Sequence, residues 1–378
     1  MSRSVTPRTK LYAWECIFRS LVIASMRSFG FLSFGHYGPV PGSRVRTAGD
    51  MLKQTIELAE GADEIGVNGA YVRVHHFARQ AASPIPLLTA MAARTKRIEV
   101  GTGVIDMRYE NPLYLAEEAA ALDLISDGRL AFGVSRGSPE TALRGYEAFG
   151  YTGSQDPRGA DIARNKFELF MRAVEGETLV EADPKMSPPG RLAIEPQSPG
   201  LRDRIWWGAG GMDSAAQTGR MGLNLMSSTL LTEATGEPLD VLQRKQIDTF
   251  REAYRKAGHT GKPRVSVSRS VFPIVTEQDE LYFGLRGGGP GSEAQDQIGV
   301  IDGIRSTFGK TYADTPDRLI EQLLADEAVM SADTLMLTIP NQLGPEYNLH
   351  ILESFAKHVA PALGWKPNTE GPAEGDAI

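Results

Sequence analysis

Tyr71-Val72-Arg73-Val74-His75-His76-Phe77 is an apolar strand that closes on two imidazoles, and the segments around it repeat its form. Upstream lies Phe29-Gly30-Phe31-Leu32-Ser33-Phe34. Downstream come Ile98 to Val104, ending Gly101-Thr102-Gly103-Val104, and Leu130 to Val134, running into Ser135-Arg136-Gly137. Stretches of helical periodicity separate them, at Asp50 to Ile65, Pro84 to Thr95 and from Asn111-Pro112 through Leu122. Asn111 is a cap with Pro112 at the first helical position, and Gly128 in Ser126-Asp127-Gly128 ends the helix. Strands that alternate with helices form a parallel sheet, and its strands all end on the same side. The imidazoles, the glycine-rich turn and the Ser-Arg-Gly turn are therefore expected at one mouth, where a barrel carries its active site.

The alternation continues to the far end of the chain. A helix over Ile162 to Val174 precedes a proline-broken stretch, 176–204, which is expected to be irregular. Strand Ile205-Trp206-Trp207 enters Gly208-Ala209-Gly210-Gly211, then helix Met212 to Met221 and strand Leu223 to Met226 follow. Helix Leu239 to Ala257, strand Val265 to Val271, helix Pro316 to Leu324, strand Thr334 to Thr338 and helix Tyr347 to Ala360 complete the series. Eight strands with helices between them indicate an α/β fold of the (β/α)8 TIM barrel type, with insertions after strands four and seven. An open Rossmann sheet fits less well, because no single dinucleotide fingerprint dominates.

With 378 residues, the chain is expected to form one barrel domain over residues 26–365. Residues 1–25 are basic at the start and are expected to be a disordered arm; Glu15 and Arg19 interrupt any signal-peptide core. Residues 281–314, with Gly287-Gly288-Gly289-Pro290-Gly291, are expected to be a mobile lid, and 366–378 a disordered tail.

A composition of 41% hydrophobic and 23% charged residues is that of a globular protein, and the formal charge is −7. With no long basic run, nucleic acid is not an expected partner. No apolar run reaches the roughly 20 residues of a spanning helix, so neither is a membrane, and the expected location is cytoplasmic. The lone cysteine, Cys16, can form no internal disulfide. No metal site is expected, because His36, His259, His350 and His358 lie at positions unrelated to His75-His76.

Taken alone, His75-His76 fits a general base or a packed core pair equally well. Arg136 supplies a forked donor for phosphate or pairs with a nearby carboxylate. The Gly208-Ala209-Gly210-Gly211 turn opens onto a helix and offers backbone N–H groups at its positive end. Two such turns at strand ends suggest a phosphorylated ligand. Asp106 and Glu110 follow the third strand, but no second strand end carries an acid to complete a glycosidase pair.

In order, Val74-His75-His76-Phe77, Ala92 to Ile98, Gly101 to Val104, Asn111-Pro112, Ala116-Glu117-Glu118, Leu122-Asp123, Ser126 to Arg129 and Gly133 to Gly137 resemble the bacterial luciferase family of flavin-dependent monooxygenases. The resemblance covers Phe29 to Leu363. It implies a (β/α)8 barrel that binds reduced FMN, supplied by a partner flavin reductase, at its C-terminal mouth. It further implies oxidation of a small organic substrate, of the aldehyde or ketone class, by dioxygen through a flavin hydroperoxide.

By the same resemblance His75 is an acid/base candidate and Ser135 stands where luciferase has a cysteine beside the flavin ring. Arg136 matches the arginine that reaches the flavin phosphate. Gly103-Val104 matches a strand end with a non-proline cis peptide. Gly210 and Gly211, with Ser214, take the place of a Glu-Ser phosphate contact. Phe34, His36, Met107, Tyr109 and Trp207 are candidate substrate-lining residues, and a homodimer is the implied assembly. The chain departs from the family at Val74, where a glutamate is usual, and at Ser135, which has no thiol. Two other readings stand beside this one: a deazaflavin-dependent hydride-transfer oxidoreductase and a non-catalytic flavin-binding protein.

Overall fold

The computed structural model describes residues 26–137, 140–284, 296–301, 304–372 and 374–375. Eight parallel strands form its centre: β1 (Ser28–Ser33), β2 (Gly69–Val72), β3 (Glu99–Thr102), β4 (Leu130–Ser135), β5 (Ile205–Ala209), β6 (Asn224–Ser227), β7 (Val265–Pro273) and β8 (Thr334–Ile339). Each pairs with its successor, and β8 pairs with β1, so the sheet closes into a barrel. Helices α1 (Ala48–Ile65), α2 (Pro84–Arg94), α3 (Pro112–Ile125), α4 (Ala160–Val174), α5 (Met212–Met221), α6 (Leu239–Lys256), α7 (Glu277–Phe283), α8 (Pro316–Leu324) and α9 (Pro345–His358) follow in chain order.

Period-two alternation sets what each strand offers to either side. Phe29, Phe31, Val72, Val100 and Phe132 face outward into the main core beneath the helices. Leu32, Tyr71, Ala131, Trp206, Met226 and Met336 form a separate cluster inside the barrel, with Phe34 and Val104 packed on it. Below this plug, at the N-terminal ends of the strands, Arg264 donates to Glu99 at 2.7 Å, and the Tyr71 hydroxyl donates to the same carboxylate at 2.7 Å. Charged groups at this end stabilise the barrel.

The signature residues before β3 and β4 also act at this lower end. The Asp63 carboxylate accepts the backbone N–H groups of Lys96, Arg97 and Ile98. Arg129 donates to the carbonyls of Ala92 and Ile98 and to the Thr95 hydroxyl. They join α1, α2 and α3 to the strands that follow them.

The segments expected to be irregular differ in part. Within 176–204, Val180–Glu181 and Arg191–Leu192 pair as a short antiparallel hairpin. Residues 281–284 complete α7 and its cap, while the glycine-rich run of the expected lid lies outside the described residues. Strands 297–301 and 304–308 pair antiparallel, and the second also pairs with Leu230–Leu231 after β6. Thr311–Asp314 extends along β7. These pairings join segments distant in sequence, which a local pattern cannot show. The tail through Asn368 is packed as well, since the Asn368 N–H donates to the Gly66 carbonyl at the end of α1. The expected arm, 1–25, lies outside the described residues. Among the described residues no helix is long and apolar enough to cross a membrane.

Candidate active site

The mouth is built by the segments that leave the C-terminal ends of the strands. β2 ends at Val72, so His75 and His76 lie beyond the pleat and need not face opposite sides. His75 is buried, and its Nδ1 lies 3.2 Å from Oε1 of Glu140. Glu140 sits five residues after Ser135, on the loop that leaves β4. Its side chain is only 4% exposed, and among the described residues neither carboxylate oxygen makes a regular hydrogen bond. His76 instead stacks on Tyr109, with ring centroids 4.1 Å apart, and Phe149 closes the edge of that stack. Burial holds His76 below the usual histidine range.

Ser135 is buried at the end of β4, and its hydroxyl accepts the Gly137 N–H at 2.9 Å. Arg136, the next residue, is exposed. Gly103-Val104 is a cis, non-proline peptide, as the resemblance implies. Gly208 of β5 packs against Val104 and Ser135: a Cβ at Gly208 would fall 3.1 Å from Val104 and 3.3 Å from Ser135. Val104 and Ser135 thus close over Gly208, and Leu32 and Met226 crowd Gly103, so both glycines serve close packing of the strand ends.

The turn after β5 is held from behind. The Gln246 side-chain amide of α6 donates to the carbonyls of Ala209 and Gly211, and Thr232 donates to Gly210. Open space lies in front of Gly210. The Met212 N–H, at the start of α5, donates to Oε1 of Glu233 at 2.9 Å. The protein's own carboxylate thus occupies the anion seat that the sequence pattern marks at this helix end. Ser214 does not face that seat freely, because its hydroxyl accepts from the Trp207 indole at 3.3 Å.

Among the expected lining residues, Phe34 and His36 follow β1 at the mouth. The Phe34 ring packs on the interior cluster and lies under Arg73, and His36 contacts Gln80 at 2.8 Å. Burial, with the nearby charges of Arg73 and His75, holds His36 below its usual range. Tyr109 belongs to the aromatic wall around His76. Met107 and Trp207 lie elsewhere. Met107 is fully buried in the outer core, and Trp207 packs on Phe167 of α4, centroids 4.7 Å apart. Trp206, its neighbour, takes the inward position.

Asp106 is engaged in a bidentate pair with Arg108, and both side chains are nearly buried. It is not one half of a free acid pair. Sequence patterns alone pass over Arg73, Glu140 and Glu233. Arg73 is signalled by its place directly after β2, two residues on from Tyr71, whereas the two glutamates lie on loops without periodicity.

The (β/α)8 barrel gathers His75 and Glu140, Ser135 and the start of α5 at its C-terminal mouth, the end at which barrel enzymes carry their sites. Residues 26–282 match the family described as luciferase-like monooxygenase, and the chain belongs to that family. Limonene 1,2-monooxygenase of Rhodococcus erythropolis is 34% identical over 158 residues, which are 40% of this chain and 38% of that protein. The oxygenase component of a flavin-dependent trigonelline monooxygenase from Acinetobacter baylyi is 35% identical over 95 residues, 25% of this chain and 26% of that protein. Matches of this kind span about a quarter of the length of the first curated relatives. In fold, the chain is similar to the oxygenating constituent of 3,6-diketocamphane monooxygenase from Pseudomonas putida, solved with FMN. The TM-score is 0.63 at 18% identity, covering 89% of this chain and 98% of that one. An F420-dependent tetrahydromethanopterin reductase from Methanopyrus kandleri shares the fold at a TM-score of 0.59 and 17% identity, over 89% of this chain and 99% of that one.

Proposed function

We propose that the protein is the oxygenase component of a two-component monooxygenase that uses reduced FMN and dioxygen to oxidise a small organic molecule of the aldehyde or ketone class. One observation carries this reading. Glu140, on the loop that also bears Ser135 and Arg136, reaches across to His75 on the neighbouring side of the mouth, at 3.2 Å. A carboxylate that the sequence does not single out thus stands beside His75, the expected acid/base group.

The residues present suit a flavin in three respects. Val104 and Ser135, which meet over Gly208 at the strand ends, would form the wall against which the ring lies. The exposed Arg136 would serve the phosphate. The start of α5 already seats a carboxylate, so it favours an anion, although a phosphate would have to displace Glu233. When bound, reduced flavin supplies the electrons for oxygen activation; that chemistry is the cofactor's. The chain's part is to exclude water, to place His75 as proton donor or acceptor, and to offer the Ser135 hydroxyl as a hydrogen-bond partner. A separate flavin reductase, and pairing of two copies of this chain, belong to the same proposal.

A second reading has support in an F420-dependent glucose-6-phosphate dehydrogenase of Amycolatopsis mediterranei, 32% identical over 103 residues, 25% of this chain and 31% of that protein. Titration of the purified protein with FMN, reduced FMN and a deazaflavin, followed by oxygen uptake with a reductase present, separates the readings. Tight binding of reduced FMN with substrate-dependent oxygen uptake is expected. Binding of the deazaflavin alone, or no flavin binding at all, would overturn the proposal.

A further inference from the structure

Among the described residues, the Arg73 guanidinium at the barrel mouth has no hydrogen-bond acceptor and lies over Phe34. Val72 and Val74 are buried in the outer core, so Arg73 between them, the first residue past the end of β2, falls on the same side as Tyr71. Tyr71 belongs to the interior plug, so Arg73 lies one step above it. The register pairs Val72 with Ser33 on one side and with Thr102 on the other. Beyond it the Arg73 N–H donates to the Ser33 carbonyl and the Gly103 N–H to the Val72 carbonyl, so the segments leaving β1 and β3 flank Arg73. The Arg73 guanidinium carbon lies 4.8 Å from the Phe34 ring centroid, and among the described residues the group makes no hydrogen bond or ion pair.

The charged groups around it do not satisfy it. Glu140 is the carboxylate whose charge favours it, yet the Oε1 of that side chain is turned to His75. His36 and His75 add no negative charge. Arg73 is half-buried, and none of its guanidinium nitrogens is among the buried atoms that lack a partner, so its donors remain open to the mouth. A guanidinium held over an aromatic ring keeps its forked edge free for a planar anion.

We propose that Arg73 is the seat of a planar, delocalised anion at the floor of the barrel mouth. Two sources share that chemistry: a carboxylate on the organic substrate, or the deprotonated pyrimidine edge of a reduced flavin. The second source rests on the flavin reading above; the first does not.

Two titrations test this on the purified full chain. In one, calorimetry compares benzoate with benzamide for the wild type, Arg73→Gln and Arg73→Met. In the other, anaerobic fluorescence compares oxidised with reduced FMN for the same three proteins. The expected result is a preference for the anionic member of at least about 10-fold in one arm, lost in both variants. Preference for benzoate assigns the seat to substrate, and preference for reduced FMN assigns it to the cofactor. Arg73→Met retains the apolar stem over Phe34, and circular dichroism checks that each variant folds. If neither variant folds, Arg73→Lys takes their place, and a weakened preference for the anionic member is the expected result, because lysine keeps the charge but not the fork. Equal binding within both pairs, or a preference that survives loss of the guanidinium, overturns the proposal. Failure of FMN to bind would overturn the flavin reading while leaving the benzoate arm intact.

Discussion

His75 Nδ1 and Glu140 Oε1 lie 3.2 Å apart, although the two residues leave the barrel on different strands. A carboxylate this near to Nδ1 favours an imidazole that carries a proton there, which would leave Nε2 for the reacting molecule. The family pattern places a glutamate next to the histidine in sequence; here that position is Val74, buried in the core. The loop after β4 supplies the acid instead. Glu140→Gln is expected to lower turnover by about 10-fold to 100-fold, within the range of a general acid–base contribution. Flavin affinity should change little, and the melting temperature should hold, because the variant removes a buried charge along with its partner's orientation. Steady-state rates with matched flavin titrations check this. Wild-type turnover in a folded Glu140→Gln protein would show that the pair is only structural.

Glu233 is expected to compete with the phosphate of a bound flavin. Its carboxylate accepts the Met212 N–H, and its backbone carbonyl accepts the Thr307 hydroxyl, from the strand that pairs beside Leu230–Leu231. Replacement by glutamine removes a charge from a helix N-terminus, an effect of about 0.3–1 kcal/mol. FMN should therefore bind about twofold to fivefold more tightly to Glu233→Gln, while riboflavin, which lacks the phosphate, should bind as before. Arg136→Ala should act in the opposite sense, weakening FMN and sparing riboflavin. Fluorescence titration of both ligands decides, and parallel changes for FMN and riboflavin would place the phosphate elsewhere.

Stability should fall as the pH rises from about 4.5 to about 7. Burial pushes the Glu110 carboxyl up from 4.5 to about 7, with the charge of Glu118 adding to it. A raised carboxyl contributes fully below its unfolded value, and the contribution is lost as the pH rises through the folded one. Lys166 behaves in the reverse sense. Burial pushes its ammonium down to about 8, so its contribution is present above the ordinary lysine value and is lost as the pH falls through 8. The Lys166 ammonium nevertheless keeps a bond to the Arg108 carbonyl at 2.7 Å. Melting temperatures at pH 5 and pH 7.5 should therefore drop less in Glu110→Gln than in the wild type. An equal drop in both proteins would remove Glu110 as the cause.

The parts of this molecule that sequence displays are those with a period. Helices Met212–Met221 and Pro316–Leu324 have the ends that their glycine and proline boundaries indicate, and the strand-and-helix alternation leads directly to the closed barrel. The same period-two rule separates Trp206, inside, from Trp207, outside, and suffices to correct the lining assignment. Helix α7 spans seven residues, too few for a periodic signal, though Thr276 and Asp279 form a capping box at its start. Glu140 and Glu233 could not be placed from sequence, because each reaches its partner through a loop whose path depends on tertiary packing.

Asp63 tests the division between the two ends of the barrel. Its carboxylate accepts three consecutive backbone N–H groups, from Lys96, Arg97 and Ile98, at 2.8 to 3.0 Å. These donors precede β3, at the end of the barrel opposite the mouth. Asp63→Ala leaves the Ile98 donor buried without an acceptor and the other two partly so, a cost of about 2–4 kcal/mol. Asp63→Asn retains one acceptor oxygen and should cost about half as much. Urea denaturation should show both losses as a lower midpoint with an unchanged slope. Flavin affinity of the folded protein should be unaltered, since a residue at the lower end supports the barrel without touching the mouth. A variant with a normal midpoint and weakened flavin binding would place Asp63 in the site and reverse this assignment.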